Sequence, residues 1–134
     1  MSGILFLDVD DIIGLHGLQL PRFGGAEGIR DRGLLESAVA QPQAGVDGQF
    51  LHPDFFLMAA AYAFHIAQNQ PFVDGNKRTG LLAALVFLDL NAHSIDQPSD
   101  RLYQAMIDIA EHRLDKEGLA ELFRELSQGF EKQE

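Results

Sequence analysis

The sequence contains no cysteine, few basic residues and no long hydrophobic run, and each absence excludes a class of protein. Without cysteine, neither a disulfide framework nor a thiolate zinc site is possible. The chain has 10 lysines and arginines against 20 aspartates and glutamates, a net charge of −10, which argues against a nucleic-acid backbone as the main partner. No apolar stretch reaches the roughly 20 residues of a membrane-spanning helix, and no basic leader precedes Asp8. A cytoplasmic protein is expected.

The composition is that of an ordinary globular protein with room for one core. The 134 residues match the common size of a single domain, and 46% of them are hydrophobic. The sequence shows no internal repeat, low-complexity tract or long linker. We therefore expect residues 1–134 to form one domain.

Two apolar segments predict a pair of buried helices. Residues 54–68 and 77–90 carry apolar side chains on nearly all faces, which is typical of helices that other helices enclose. Pro71 is placed to end the first helix, and Asn91 is placed to cap the second.

Amphipathic segments with start and stop signals predict the outer helices. Their expected first residues or caps are Asp8, Asp31, Pro98 and Asp115. Pro21 is expected to end the first helix and Pro42 to follow the second, while Phe130 of the last helix should face inward. Residues 43–53 are predicted to be an exposed loop. The fold class is therefore all-α, with about six helices around a buried central pair and minimal strand content.

The connection between the central helices gathers unusual chemistry. Asp74, Gly75, Lys77 and Arg78 lead straight into the first turn of an apolar helix. The unpaired N–H groups of that turn and the helix dipole favour an anion, and Gly75 lets the backbone approach a ligand closely. Asp74 can hold a hard divalent cation, because Mg²⁺ usually binds one or two carboxylates plus substrate phosphates. The pattern indicates a nucleotide-phosphate site.

A plainer interpretation of these residues stays open at this point. Asp74-Gly75-Asn76 is also a common turn, in which Asn76 caps the helix and Lys77 and Arg78 are solvated charges. A second glycine-rich stretch, residues 23–28, has the Gly-x-x-x-Gly spacing found in phosphate loops. It lacks both the preceding strand and the following Gly-Lys-Ser/Thr, so a simple turn is expected there.

The segment resembles a known motif. Residues 71–79, Pro-Phe-Val-Asp-Gly-Asn-Lys-Arg-Thr, are similar to the motif His-x-Phe-x-Asp/Glu-Gly/Ala-Asn-Lys-Arg of the Doc (death-on-curing) toxins in the Fic/Doc superfamily. Residues 23–38 resemble the N-terminal block of Doc-like chains, and residues 81–91 resemble their central helix. The resemblance covers roughly residues 8–126 and implies the compact Fic/Doc helical bundle.

This resemblance implies a phosphotransferase that uses ATP and Mg²⁺. Fic proteins generally transfer a nucleotide monophosphate to a protein hydroxyl, whereas Doc toxins act as kinases on a threonine of elongation factor Tu and block translation. By resemblance, Asp74 binds Mg²⁺, Asn76 helps to position the phosphates, and Lys77 with Arg78 neutralises charge on the triphosphate. The implied catalytic positions are Gln70, Asp74, Asn76, Lys77 and Arg78, and the implied cofactor-binding positions are Phe72, Gly75, Asn76, Lys77 and Arg78, with Phe72 anchoring the loop in the core.

Two positions favour the kinase branch of the family. Lys77 stands where nucleotide-transferring Fic proteins carry a second glycine, and Leu81 stands where they carry a second arginine. AMP transfer to a protein hydroxyl is the first alternative. A protein without catalytic activity, which only binds its antitoxin, is the second.

Position 70 departs from the family motif. Gln70 stands where the motif has the histidine that takes the proton from the target hydroxyl. A glutamine amide forms hydrogen bonds but does not titrate near neutral pH, and general-base help is typically worth ~10²–10⁴ in rate. The chain is therefore expected to be severely impaired. Gln70 is either a selected or introduced inactivating change or the mark of a natural, non-catalytic member.

The sequence does not indicate another histidine that replaces the missing general base. On a helix, His65 would point about 140° away from position 70, and it is expected to be a core or edge residue. The rest lack metal-ligand spacing and are expected to be structural or surface residues: His16, His52, His93 and His112. His16 and His52 stay open as residues that the fold could bring near the site.

The implied partners are proteins. Elongation factor Tu is the target, and a Phd-like antitoxin that folds on contact is the inhibitor. Residues 127–132 match the family's inhibitory Ser/Thr-x-x-x-Glu-Gly/Asn motif only in part, and the arginine that its glutamate would engage is Leu81 here. A chance match is expected. Direct binding to nucleic acid or to a membrane is not.

Overall fold

The computed structural model describes residues 3–23, 27–96 and 99–131, in which six α-helices, one short 3₁₀-helix and one small β-hairpin form. In chain order the elements are α1 (Val9–Phe23), α2 (Arg32–Ala40), the 3₁₀-helix (Gln41–Gln43), β1 (Gly45–Val46), β2 (Gln49–Phe50), α3 (Phe55–Asn69), α4 (Asn76–Leu90), α5 (Asp100–Ala110) and α6 (Lys116–Glu131). The predicted all-α class and minimal strand content are confirmed. None of the described helices has the length and apolarity needed to cross a bilayer.

Helices α3 and α4 form the buried centre, as the two apolar segments predicted. α2, α4, α5 and α6 all pack on α3. The backbones of α3 and α4 approach closely, because a Cβ on Gly80 would lie 2.8 Å from the carbonyl oxygen of Ala63. The fully buried rings of Tyr62, on α3, and Phe87, on α4, also pack together in the core, with centroids 5.3 Å apart. The central pair thus places the segment that joins its helices at a fixed position.

Helix α1 begins where predicted and continues past its predicted end. Asp8 and Asp11 each accept the backbone N–H of the other at 2.9 Å, a reciprocal cap. Pro21, predicted to end the helix, lies inside it, since α1 runs on to Phe23. That prediction was wrong because Pro21 removes one intrahelical hydrogen bond, which water can replace at an exposed carbonyl. The carbonyl affected belongs to Gly17, which is exposed to water.

Residues 43–53, predicted to be an exposed loop, contain the hairpin. β1 and β2 pair antiparallel across Asp47 and Gly48, whose φ values are +53° and +78°. Two positive φ angles in a two-residue connection are typical of a type I′ turn, for which Asp-Gly is a favoured sequence. The Asp-Gly pair was the available signal for this turn. The very short strands beside it carry too little alternation of polar and apolar side chains to be recognised from the sequence.

Helices α2 and α6 begin at the predicted caps. Asp31 accepts the N–H of Leu34 at 3.0 Å, and Asp115 accepts the N–H of Gly118 at 2.7 Å. α5 is capped by Ser99. Other predictions concern positions outside the described residues or side chains: Gly24, Gly25, Pro98, Phe130 and the residues of 127–132 after Ser127.

A cluster of basic side chains joins α6 to α3 and to the segment after β2. Nζ of Lys116 lies 2.9 Å from Nε2 of His52 and 3.0 Å from Nε2 of His65. An ammonium group only donates, so both rings accept at Nε2. Burial, with the charge of Lys116 as the next cause, lowers the pKa of His65 to about 4 and also lowers the pKa of His52. His65 is therefore the structural histidine that the sequence predicted.

Replacing Gly80 by alanine tests the contact between α3 and α4. The added Cβ would overlap the backbone of Ala63, so we expect the free energy of unfolding to fall by about 1–3 kcal/mol. Gly14→Ala is the matched control, because a Cβ there meets nothing within 4 Å and alanine favours a helix by about 1 kcal/mol. Urea unfolding measures both variants, and equal stability of Gly80→Ala and the parent would contradict the close contact.

The basic cluster predicts that acid destabilises the fold. His65 has a pKa of about 4 in the folded state against an ordinary value of 6.5, so between these values the unfolded chain binds a proton that the folded chain does not. The free energy of unfolding should fall as the pH drops through this interval, by roughly 1–3 kcal/mol for this residue.

Two histidine variants isolate this effect. His65→Gln should lose that part of the pH dependence, whereas His112→Asn, at an exposed position, should retain it. Urea unfolding at neutral pH and at about pH 4.5 measures the difference. An equal drop in stability for both variants would show that His65 does not carry the effect.

Candidate active site

The connection between α3 and α4 turns through two left-handed residues. Gln70 ends α3 with φ +47°, and its N–H donates to the carbonyl of Ile66 at 3.1 Å. Pro71 follows and cannot extend the helix, as predicted. Gly75 precedes α4 with φ +78°, a conformation that glycine adopts without strain. α4 therefore begins at Asn76, one residue earlier than predicted.

Asn76 holds this turn closed through its side chain. Nδ2 donates to the carbonyl of Phe72 at 3.0 Å, and Oδ1 accepts the N–H of Phe72 at 2.9 Å. The interpretation in which Asn76 caps the helix is wrong, because Gly75 occupies the cap and Asn76 is the first helical residue. The amide instead fixes the conformation of the loop.

Phe72 points into the core and packs against a histidine from α1. The Phe72 side chain is 1% exposed, and its ring stacks on that of His16 with centroids 3.9 Å apart and 4° between the ring planes. Nε2 of His16 also lies 2.8 Å from the carbonyl oxygen of Asp74. Of the two histidines left open by the sequence, the fold brings His16 to the loop, whereas His52 lies beside Lys116.

The backbone of residues 28–31 holds the loop from another side. The N–H of Val73 donates to the carbonyl of Gly28 at 3.0 Å. The N–H groups of Arg30 and the next residue both donate to the carbonyl of Pro71, at 2.7 and 3.0 Å. The loop is thus paired along its length with a segment that precedes α2.

The Arg30 side chain completes the end of α3. Nε donates to the carbonyl of Gln70 at 2.7 Å, and Nη2 donates to the carbonyl of Asn69 at 2.8 Å. A cation at a helix C-terminus also interacts favourably with the helix dipole. Arg30 was not predicted to belong to the site, whereas His16 had been left open. The only signal for Arg30 was the resemblance of residues 23–38 to Doc-like chains, which does not say which side chains reach the loop.

The loop and the first turn of α4 line a pocket of about 380 Å³. It brings together six of the predicted residues, Gln70, Asp74, Gly75, Asn76, Lys77 and Arg78, with Ala67, Val73 and Ala110 completing the wall. Phe72, predicted among the cofactor-binding residues, does not line this pocket, since its ring is buried behind the loop.

The pocket has the chemistry of an anion site. The first N–H groups of α4 have no intrahelical acceptor, since the N–H of Thr79 is the one that donates to the carbonyl of Gly75, at 3.0 Å. Lys77 and Arg78 are exposed on the same turn. Peptide donors, the positive end of a helix dipole and two cations together favour a phosphate group.

Asp74 contributes a carboxylate beside this anion site. Its Oδ1 accepts the N–H of Gly75 at 2.8 Å, which orients the group. In the described parts of the chain, no three His, Cys, Asp or Glu side chains converge as a metal site. One carboxylate beside a place for an anion fits Mg²⁺ that is bound together with the oxygens of a phosphate ligand.

The Gln70 side chain is exposed and faces the pocket. The hydrogen bonds of this residue to Ile66 and Arg30 run through its backbone, so they do not depend on the side chain. His65 lies with Lys116 and is not part of the pocket lining. Position 70 thus presents to the pocket an amide, a group that does not titrate near neutral pH.

A helical bundle with this loop and pocket belongs to the Fic/Doc class. A sequence model of the Fic/DOC family matches residues 6–88, and the chain is a member of that family. Toxin Doc of Mycolicibacterium smegmatis is 38% identical over 117 residues, covering 86% of this chain and 88% of the relative. Protein kinase doc of Escherichia phage P1 is 36% identical over 90 residues, covering 66% of this chain and 71% of the relative.

Removing the Arg30 side chain should destabilise the protein. Arg30→Ala leaves the carbonyls of Asn69 and Gln70 without their side-chain donor, and we expect the free energy of unfolding to fall by about 1–3 kcal/mol. Arg32→Ala is the matched control, because an exposed ion pair such as that of Arg32 with Glu36 is worth at most about 1 kcal/mol. Urea unfolding compares the two, and an equal loss would contradict the role given to Arg30.

Proposed function

We propose that the protein is the toxin of a toxin–antitoxin pair, built as a kinase that transfers the γ-phosphate of ATP to a threonine of elongation factor Tu and so blocks translation. The supporting observation is the pocket in which Asp74, Lys77 and Arg78 meet the start of α4. The names of the two relatives, a toxin and a protein kinase, agree with this proposal. The activity belongs in the cytoplasm, where ATP and the elongation factor are found.

In this proposal the triphosphate lies across the first turn of α4. The N–H groups of that turn bind phosphate oxygens. Lys77 and Arg78 neutralise the charge that develops while the bond from the γ-phosphorus to the bridging oxygen breaks, leaving ADP, and the bond to the threonine oxygen forms. Asp74 would hold Mg²⁺, which shields the phosphate charge when it is bound.

Asn76 and Phe72 support the site indirectly. The Asn76 amide is occupied by the backbone of Phe72, so it positions the phosphates by fixing the loop that carries the phosphate-binding groups. The Phe72 ring holds the same loop in the core and does not touch the nucleotide. Gly75 supplies the left-handed turn that starts α4.

Phosphate transfer is favoured over AMP transfer at two positions. Position 81 in α4 is a leucine, 6% exposed. The arginine that nucleotide-transferring Fic proteins carry there therefore has no counterpart. Lys77 replaces their second glycine and adds charge next to the phosphates. AMP transfer to a protein hydroxyl is the second candidate, because the first turn of α4 can bind the phosphates of a nucleotide that lies in either orientation.

Gln70 impairs this chain as a catalyst. A histidine at this position would accept the proton that leaves the threonine hydroxyl, and an amide has no such basicity. We expect Mg-ATP binding to persist while transfer is ~10²–10⁴ slower than with histidine. A protein that binds only its antitoxin, a Phd-like chain that folds on contact, is the alternative outside catalysis.

Restoring the histidine should restore transfer. The parent, Gln70→His and the double variant Gln70→His/Asp74→Asn are incubated with Mg-ATP and elongation factor Tu, and the intact mass of the target is measured. Only Gln70→His should add a phosphate-sized mass at an appreciable rate, ~10²–10⁴ faster than the parent. Asp74→Asn is the control, because it keeps the side-chain size and removes the charge that holds Mg²⁺.

The other outcomes separate the alternatives. A nucleotide-sized addition would assign the protein to AMP transfer. If Gln70→His binds Mg-ATP in calorimetry but leaves the factor unmodified, elongation factor Tu is not its target. If neither the parent nor Gln70→His binds Mg-ATP, the result would support the alternative in which the protein only binds its antitoxin.

A further inference from the structure

His16 is built into the back of the candidate site. The residue lies on α1 and is 5% exposed, and its ring stacks in parallel on that of Phe72. The ring also borders Gly75, where an added Cβ would lie 3.6 Å from Nε2 of His16. His16 therefore contacts the loop on both sides of Asp74, at Phe72 and at Gly75.

The hydrogen bond from His16 identifies which nitrogen carries the proton. Nε2 lies 2.8 Å from the carbonyl oxygen of Asp74. A carbonyl oxygen only accepts, so Nε2 must be the donor. The bond fixes the direction of one end of the peptide unit that joins Asp74 to Gly75.

The other end of the same peptide unit is bonded to the Asp74 side chain. The N–H of Gly75 donates to Oδ1 of Asp74 at 2.8 Å. In a planar trans peptide the carbonyl and the N–H point in opposite directions, so holding the carbonyl sets the direction of the N–H. The hydrogen bond from His16 therefore also sets the direction of the Gly75 N–H, which donates to the Asp74 carboxylate.

We propose that His16 is a positioning residue for the Asp74 carboxylate and acts through the Asp74–Gly75 peptide unit. The proposal rests on the proposed function, in which Asp74 holds the Mg²⁺ that accompanies ATP. If the donor at Nε2 is lost, this peptide unit is free to rotate and the carboxylate loses its fixed orientation. Mg²⁺-dependent binding should then weaken, while binding of the phosphates to α4 should remain.

Two variants of His16 separate this role from simple packing. His16→Phe keeps an aromatic ring to stack on Phe72 but removes the donor to the Asp74 carbonyl. His16→Gln removes the ring but keeps a side-chain N–H of similar reach. If His16 only filled space, His16→Phe would be the milder change. If it positions Asp74, His16→Gln should be the milder change.

The test compares ATP binding with Mg²⁺ and with EDTA. Calorimetry gives the dissociation constant for the parent, His16→Phe, His16→Gln, Asp74→Asn and the double variant His16→Phe/Asp74→Asn. His16→Phe should lower the gain in affinity from Mg²⁺ roughly tenfold, the size of one hydrogen bond, and leave ATP binding in EDTA unchanged. The double variant should lose no more than Asp74→Asn alone, because both changes act on one carboxylate.

Two results would overturn the proposal. One is an unchanged gain from Mg²⁺ in His16→Phe. The other is an equal loss of ATP affinity with Mg²⁺ and in EDTA, since that would mean that the whole loop had collapsed. Retention of most of the Mg²⁺ effect in His16→Gln would support the proposal.

Two measurements without nucleotide keep this proposal separate from the proposed function. If the parent does not bind Mg-ATP, the proposed function fails, but the amide exchange of Gly75 in NMR still tests the role of His16. Exchange should be faster in His16→Phe than in the parent and close to the parent in His16→Gln. Should His16→Phe not fold, the tautomer of His16 in the parent decides, because a proton on Nδ1 instead of Nε2 would overturn the proposal.

Discussion

The contact between α3 and α4 at Ala63 and Gly80 is the constraint on which the rest of the structure depends. The two backbones almost touch there, and the chain reverses between the helices within residues 70–75, where Gln70 and Gly75 both adopt left-handed backbone. The reversal sets the carbonyl end of one helix beside the N–H end of the next. Arg30 binds the carbonyls that end α3, which leaves the start of α4 as the place for an external anion.

Holding the loop and binding a ligand are tasks of different groups. Phe72, Asn76, Arg30 and His16 keep the loop in one conformation through burial, stacking and hydrogen bonds to the backbone. The side chains on the other side of the loop face the pocket. Such a division keeps the backbone of the loop in one conformation without using the exposed side chains that line the pocket.

Sequence patterns predicted much of the fold and the residues that line the pocket. The buried central pair, the caps at Asp31 and Asp115 and the end of α3 follow from local rules of helix formation, and all were confirmed. Pro21 was misjudged because the penalty of a proline depends on its position in the helix. Arg30 was missed, and His16 was only left open, because both bind backbone carbonyls that are distant in sequence, and every residue has a carbonyl whatever its side chain.

The independence of the loop from the Gln70 side chain has a genetic consequence. A glutamine codon and a histidine codon differ only at the third base, so one substitution interconverts the two residues. Since backbone groups of Gln70 form the hydrogen bonds to Ile66 and Arg30, these bonds are available to either residue. A single-base substitution can therefore exchange an amide for an imidazole at the edge of the pocket, while the backbone hydrogen bonds that end α3 stay in place.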